Sequence, residues 1–400
     1  MRNKVLTAII FPAFAFASCN SAAMGDSAPT ASAQSDNAAA GLAASEPVEL
    51  QSQSPFDAAS FEAFNEPWAL AFEPETGVIF ITEKPGTMKF FDPATGQVGE
   101  VTGLPSVAYE GQGGLGALAF APDYASNDMI YLSWAKQDGE DTRAAVGRGT
   151  LSCNGTSCSI EGLTEIWQQS QAMPRPGHYS HRLAFSPDGQ YLYVASGDRQ
   201  AQTPAQDLSN NLGGVMRLNL DGTPAAGNPF EDRGSPTNQI WTYGQRNILG
   251  LNFDSSGNLW ALEHGPAGGD ELNFVQEGNN YGWPTRSNGE NYNGDPIPDH
   301  SPDDGFAKPA ISWNPVIAPG GMVFYDGPMF SDWDGQLLIA NLRTQSISRV
   351  TVDPSANSAD EAARYEMPSR LRDIAVAPDG AIWVIEDGDN GRLLRLTPKE

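Results

Sequence analysis

Cysteine is almost absent from this 400-residue chain, which holds only Cys19, Cys153 and Cys158. Three thiols at that spacing cannot build a zinc ribbon or a disulfide-dense scaffold. Histidine is nearly as scarce: His178, His181, His264 and His300 are the full set, and no Cys or third His stands at ligand distance from the first two, which argues against zinc. Basic residues are also few, with 23 Lys and Arg against 49 Asp and Glu and a net charge of −26. A chain with so small a cationic footprint is not built to grip nucleic acid or an anionic lipid surface, and neutral molecules and cations are its natural partners. The one long apolar run, Val5 to Ala17, is too short to span a bilayer as a mature helix. Nowhere does a long segment show the 3.6-residue apolar period of a helix.

The N-terminus has the form of a signal peptide: basic Met1-Arg2-Asn3-Lys4, then the apolar run. Two cleavage readings compete. Ala15-Phe16-Ala17 suits an ordinary signal peptidase, whereas Phe16-Ala17-Ser18-Cys19 resembles a bacterial lipobox with Phe in place of the usual Leu. Cys153 and Cys158 flank a turn-rich loop in which a local disulfide closes easily in an oxidising compartment, leaving Cys19 as the odd thiol. A lipidated Cys19 would make the Ala/Ser/Gln-rich stretch after it a tether. The expected organisation is therefore a signal peptide over residues 1–19, a disordered tether over 20–55 and a folded region over 56–400. The expected location is the bacterial periplasm, either free or anchored at the outer membrane.

In the folded region one phrase recurs: an apolar strand, a turn rich in Pro, Asp and Gly, and a second apolar strand. The third copy is the clearest, Leu183-Ala184-Phe185-Ser186-Pro187-Asp188-Gly189 running into Tyr191-Leu192-Tyr193-Val194. The turn residues supply the dihedrals that a hairpin needs. Anchored on Phe72, Phe120, Phe185, Phe253, Phe324 and Val376, the copies lie at the spacing of propeller blades with loop insertions. The expected fold is all-β, a six-bladed β-propeller, with function in the loops that converge on one axial mouth.

Four groups of residues look chemical. The segment Gly177-His178-Tyr179-Ser180-His181 enters the third hairpin, and spacing alone does not say which histidine acts. Asp198 ends the following strand; since the start of one hairpin strand lies beside the end of the next, it could accept a hydrogen bond from His178 and fix its tautomer. An aspartate in an ordinary turn is the plainer reading. Arginines recur at blade edges: Arg246-Asn247 before the fourth hairpin, Arg343 after the fifth, Arg370 and Arg372 at the sixth, the last two on one face by strand alternation. They form either a positive well for a small polycarboxylate or a set of interblade salt bridges. Last, Glu263-His264-Gly265-Pro266 leads through Asp270-Glu271 to Tyr281, and such a mixture of exposed carbonyls and carboxylates is what a hard cation such as Ca²⁺ takes.

Taken together, these segments resemble the soluble pyrroloquinoline quinone (PQQ)-dependent glucose and aldose sugar dehydrogenase family, over about Glu66 to Leu396. Gln112-Gly113-Gly114-Leu115 with Ala119-Phe120 is similar to the family's Gln-x-Gly-Leu-x-x-x-Ala-Phe, whose glutamine reaches the sugar and the base. The resemblance picks His178 over His181 as the general base and puts Asp198 on the aspartate that orients it. It implies that Arg246, Asn247, Arg343, Arg370 and Arg372 bind the quinone, and that Gly265, Pro266, Glu271 and Tyr281 hold its Ca²⁺. The implied reaction is oxidation of an aldose to a lactone by hydride transfer to PQQ, with a periplasmic carrier as electron acceptor. Departures are visible. Arg343 stands where the family usually has Lys, Gly177 where some members carry an acid, and His181 where a small residue is usual; Ser287, Gly289 and Asn291 are poorer ligands than those of a second calcium site. The rival functions on such a fold are a calcium-dependent lactonase and a non-catalytic binding propeller.

Overall fold

The computed structural model describes residues 41–399. The expected signal peptide, Cys19 and the tether as far as residue 40 lie outside the described residues. Within them helix is confined to one short α-turn, Tyr124–Asn127, and four brief 3₁₀ turns; strands make up the regular structure.

The strands follow one another as antiparallel meanders of four, spanning 67–102, 115–168, 180–243, 248–313 and 319–366. The sixth meander has three strands from the end of the chain, Leu371–Val376, Ile382–Glu386 and Gly391–Pro398. Its outer strand is Phe56–Phe64, which pairs with Gly391–Pro398. The first two meanders share one eight-stranded sheet through a short parallel pairing of Val98–Thr102 with Ser157–Gln168. Cys153 and Cys158, directly opposite each other in the register of that sheet, are joined by a disulfide. Three residues of the stretch read as tether, Glu46–Val48, pair with Ala58–Ser60 and so extend the last sheet outward.

The recurring turn does what its residues dictate. In Ser186-Pro187-Asp188-Gly189 the glycine takes φ 70°, which is costly for any residue with a Cβ, and its N–H returns to the Ser186 carbonyl at 2.8 Å. Ala377 to Gly380 repeats the arrangement, with φ 88° at Gly380. The apolar strands leaving these turns pack against the neighbouring meander. Phe80, Phe90 and Met88 of the first meet Leu118, Leu132 and Trp134 of the second, and each later pair of meanders encloses its own cluster. The final cluster joins the sixth to the first, with Trp383, Ile385 and Leu393 against Leu70, Ile79 and Phe91. The first strands of successive meanders touch one another around a closed circuit, the sixth returning to the first.

Every first strand carries a bulge near its start. Pro67 pairs with Glu83 but Ala69 with Thr82, so Trp68 is the extra residue; Leu249, Gly320 and Arg372 are extra in the same way. The second and third meanders shift between Leu115 and Leu118 and between Ser180 and Leu183. A bulge bends its strand and re-aims one side chain. Repeated in all the meanders, it turns a set of side chains towards the centre of the circuit. Arg182 shows the result: its guanidinium donates to the Leu249 carbonyl at 2.7 Å and the Gly320 carbonyl at 2.5 Å, pairs with Asp373 at 3.1 Å and lies 4.4 Å from the Trp68 ring centre. One partly buried cation thus ties the third meander to the fourth, fifth, sixth and first.

Candidate active site

The strand starts and the ends of the strands that pair with them share one cavity of about 350 Å³. Trp68, Lys84, Gln112, His181, Asn247 and Arg372 are among its lining residues, with Glu66, Arg370 and Asp387. Of the sequence-expected residues, Gln112, Asn247, Arg370 and Arg372 line it.

His178 adjoins this cavity through Gln112, whose side-chain oxygen accepts the His178 main-chain N–H at 2.7 Å. Its Nδ1 meets Asp198 Oδ1 at 2.6 Å. Asp198 is fully buried and well supplied with donors: Trp283 Nε1–H at 2.8 Å, the Gln200 N–H at 2.9 Å and the Gln202 N–H at 3.3 Å. The two loops that bring the pair together hold left-handed backbone at His178, Ser180, His181, Arg199, Gln200 and Gln202, a concentration typical of sites where surroundings over-determine the chain. Burial lowers the His178 imidazole below its ordinary range, and the Asp198 hydrogen bond pulls the other way without overcoming it. Burial opposes ionisation of Asp198, but its bonds to His178 and Trp283 and the Arg246 charge hold the carboxyl below the usual range. The result is a neutral imidazole oriented by an ionised carboxylate.

His181 differs in kind. Its ring stacks on Tyr179 and meets Trp68 edge-on, neither ring nitrogen has a partner, and burial pushes it down to about 3. It is a packed residue of the cavity wall and lacks the carboxylate partner that His178 has.

Arg246 is buried between the rings of Trp283 and Tyr292, 5.2 and 5.8 Å from their centres, although Tyr292 itself is 77% exposed. Its guanidinium donates to the His264 carbonyl at 3.2 Å and the Tyr292 hydroxyl at 3.1 Å, while Nε is buried without a partner. Asn247 accepts the Ser180 N–H at 3.2 Å, so the fourth meander also braces the histidine loop. Arg370 and Arg372 do share a target, Asp387, at 2.9 and 2.6 Å. Strand alternation is not the reason: Arg370 precedes the strand and Arg372 is its bulge residue. Arg343 is exposed, and its N–H bonds the Ile317 carbonyl at 3.0 Å. It is not brought into the cavity, whose wall at that point is Leu342 and Ala318.

Gly265, Glu271 and Tyr281 line a second, tight space of about 10 Å³ together with Glu263, Gly269, Arg246 and Trp283; Pro266 is buried next to Gly265. That volume suits one atom-sized occupant. A side chain at Gly265 would strike the Gly268 and Gly269 carbonyls at 2.1 and 2.3 Å, so the turn is built of closely gathered main chain. Burial raises both Glu263 and Glu271, and Glu263's charge raises Glu271 further. Burial likewise takes Asp270 to about 6. These are carboxylates short of positive charge. Among the described residues no three His, Cys, Asp or Glu side chains are grouped as a metal cage, and the Tyr281 hydroxyl is occupied by the Phe274 carbonyl at 2.5 Å and the Gln276 N–H at 3.0 Å.

Sequence reasoning passed over Lys84, Asp387 and the indole of Trp283. A positional signal for two of them existed: Asp387 follows Ile382–Glu386 and Lys84 follows Ile79–Glu83, as Asp198 comes just after Tyr191–Ser196.

A ring of β-meanders that gathers a carboxylate-oriented histidine and several arginines around one mouth is a class of scaffold that can host several chemistries rather than one enzyme. The particular family is given by comparison: the chain belongs to the glucose/sorbosone dehydrogenase family, whose model matches residues 64–395. It is 34% identical to the aldose sugar dehydrogenase YliI of Escherichia coli (strain K12), over 84% of this chain and 91% of that one. Among solved structures, the apo-form of the soluble aldose sugar dehydrogenase from Escherichia coli superposes with a TM-score of 0.80 at 33% identity, covering 86% of this chain and all of that one (100%). A PQQ-bound aldose sugar dehydrogenase from Streptomyces coelicolor superposes with a TM-score of 0.70 at 26% identity, covering 89% and 98%.

Proposed function

We propose that this chain is an exported quinoprotein, a propeller of six blades that oxidises aldose sugars to lactones with PQQ and Ca²⁺. Each four-stranded meander is a blade, and the closed circuit of first strands supports that count. The observation that carries the chemistry is the 2.6 Å contact of His178 with Asp198 beside the arginine-lined mouth.

PQQ, when bound, supplies a quinone that accepts hydride from the anomeric carbon. The residues of the chain do the rest. Asp198 holds the imidazole with Nδ1–H towards itself, so the other ring nitrogen is the base that takes the anomeric hydroxyl proton. Loss of that proton and of hydride from the same carbon leaves a C=O bond, the lactone. Gln112, fixed to the His178 main chain, keeps a polar side chain at the sugar's side of the mouth. Arg246, Asn247, Arg370 and Arg372 would hold the cofactor's carboxylates; the unpartnered Arg246 Nε is the kind of buried donor such an anion would satisfy. Carbonyls of Gly265 and Pro266, Glu271 and the main-chain oxygen of Tyr281 would hold Ca²⁺, which would also relieve the buried carboxyls beside it. A lactonase of the same fold has no use for the arginines.

The N-terminal pattern supports export, with Cys19 as a point of lipid attachment and a periplasmic carrier as electron acceptor. The function is tested by adding PQQ to the apoprotein and following dye reduction with a panel of aldoses. Turnover should appear with PQQ plus Ca²⁺ and fall away when Ca²⁺ is withheld by a chelator. Equal aldose-dependent turnover without PQQ would refute it.

A further inference from the structure

The cavity has five formally charged lining residues: Glu66, Lys84, Arg370, Arg372 and Asp387. One carboxylate, Asp387, already serves both arginines. Lys84 is placed differently. Its ammonium is 3.6 Å from Glu66 Oε1, beyond hydrogen-bond length, and 5.7 Å from the centre of the Tyr109 ring. Glu66's other oxygen is engaged by the Tyr109 hydroxyl. With its side chain only 19% exposed, Lys84 presents three donors for which no acceptor at hydrogen-bond distance is found among the described residues.

The position is held by main chain as well as by charge. Glu66 adopts left-handed backbone, φ 46°, and its carbonyl accepts the Lys84 N–H at 3.0 Å while its own N–H bonds Gly388, next to Asp387. Lys84 is therefore locked beside the Arg370–Asp387–Arg372 group, on the wall of the same cavity. Meanwhile Arg343, the expected fifth-meander cation, is exposed and outside that lining.

We propose that Lys84 is a cofactor-binding residue, its ammonium taking a carboxylate of the quinone and filling the part that Arg343 does not. Glu66 and Tyr109 hold the ammonium in waiting, and Glu66 competes with the incoming anion. This rests on the PQQ reading above.

The test is a titration of the folded apoprotein with PQQ in Ca²⁺-containing buffer, read by quenching of tryptophan fluorescence; Trp68 lies in the cavity wall. Lys84→Ala should raise Kd about tenfold, the size of one partly buried charge-assisted contact. Lys84→Arg should recover most of that loss, and Glu66→Gln should lower Kd severalfold by removing the competitor. Arg343→Ala should shift Kd less than Lys84→Ala does. An unchanged Kd in Lys84→Ala, with wild type binding normally, overturns the assignment. So does equal weakening by Lys84→Ala and Glu66→Gln, which would mean the pair only braces the loop. If wild type itself does not bind PQQ, the quinoprotein reading fails and this inference with it.

Discussion

His178 holds Asp198 at 2.6 Å, and His181, three residues later, packs its ring between Tyr179 and the edge of Trp68. The difference is one of surroundings, since both are buried and both are pushed towards the neutral form. A base must have a free nitrogen facing substrate and a partner that stabilises it once charged, and only His178 has the partner. His178→Ala should leave the fold intact and lower kcat by two to four orders of magnitude. Because burial lowers the His178 pKa, the protonated, inactive form accumulates only below the ordinary imidazole value of about 6.5. The pH profile of kcat/KM should thus stay flat through neutrality and fall only on its acid side. Asp198 raises that pKa, so Asp198→Asn should move the acid limb to lower pH while reducing the plateau. An acid limb that stays in place would remove Asp198 from the role of orienter. The choice between the histidines was not legible from spacing, because what separates them is packing by Trp68, which lies over a hundred residues earlier in the chain.

At the scale of the strand, the hairpins were legible and the bulges were not. Apolar alternation and Pro-Asp-Gly turns mark a hairpin in the sequence, because each residue type has its own local reason to be there. A bulge adds a single residue whose composition is unremarkable: Trp68, Leu249, Gly320 and Arg372 share the position and nothing else. The expectation that Arg370 and Arg372 share a face by alternation reached a true neighbourhood by a wrong route, since the bulge breaks the two-residue period between them. Arg343 was expected beside the other arginines, whereas the chain at the end of Leu337–Asn341 turns Leu342 inward and leaves Arg343 exposed, outside the cavity lining. The bulge is also a point of weakness. A Cβ on Gly320 would stand 2.5 Å from the Arg372 carbonyl and 2.7 Å from that of Leu371, with only main chain available to yield. Gly320→Ala should destabilise the fold by about 1–3 kcal/mol and weaken PQQ binding by displacing Arg372. Thermal unfolding and the fluorescence titration would measure both, and an unchanged melting temperature would show that the strands can part at no cost.

Over the whole molecule, closure is what turns distant segments into one site. The strand Phe56–Phe64 completes the last sheet, and Trp383 with Leu70 and Phe91 seals the first meander to the sixth. The all-β reading and the repeat were legible because each meander buries its own apolar strands. That the outer strand of the last meander comes from the beginning of the fold was not, since no local pattern records a partner over three hundred residues away. The excess of acid across the chain gives the arginine-lined mouth its contrast, and Lys84, Arg246, Arg370 and Arg372 are a notable share of 23 basic residues. The central claim is that this mouth brings a base, a sugar and a quinone together. Its most direct test is a single turnover under argon: protein loaded with PQQ and Ca²⁺ is mixed with an aldose while the quinone absorbance and the sugar product are followed. One equivalent of cofactor reduced per chain, with matching lactone and at least a hundredfold slower reaction in His178→Ala, is the predicted result. A loaded, folded protein whose spectrum stays unchanged across the aldose panel would contradict it.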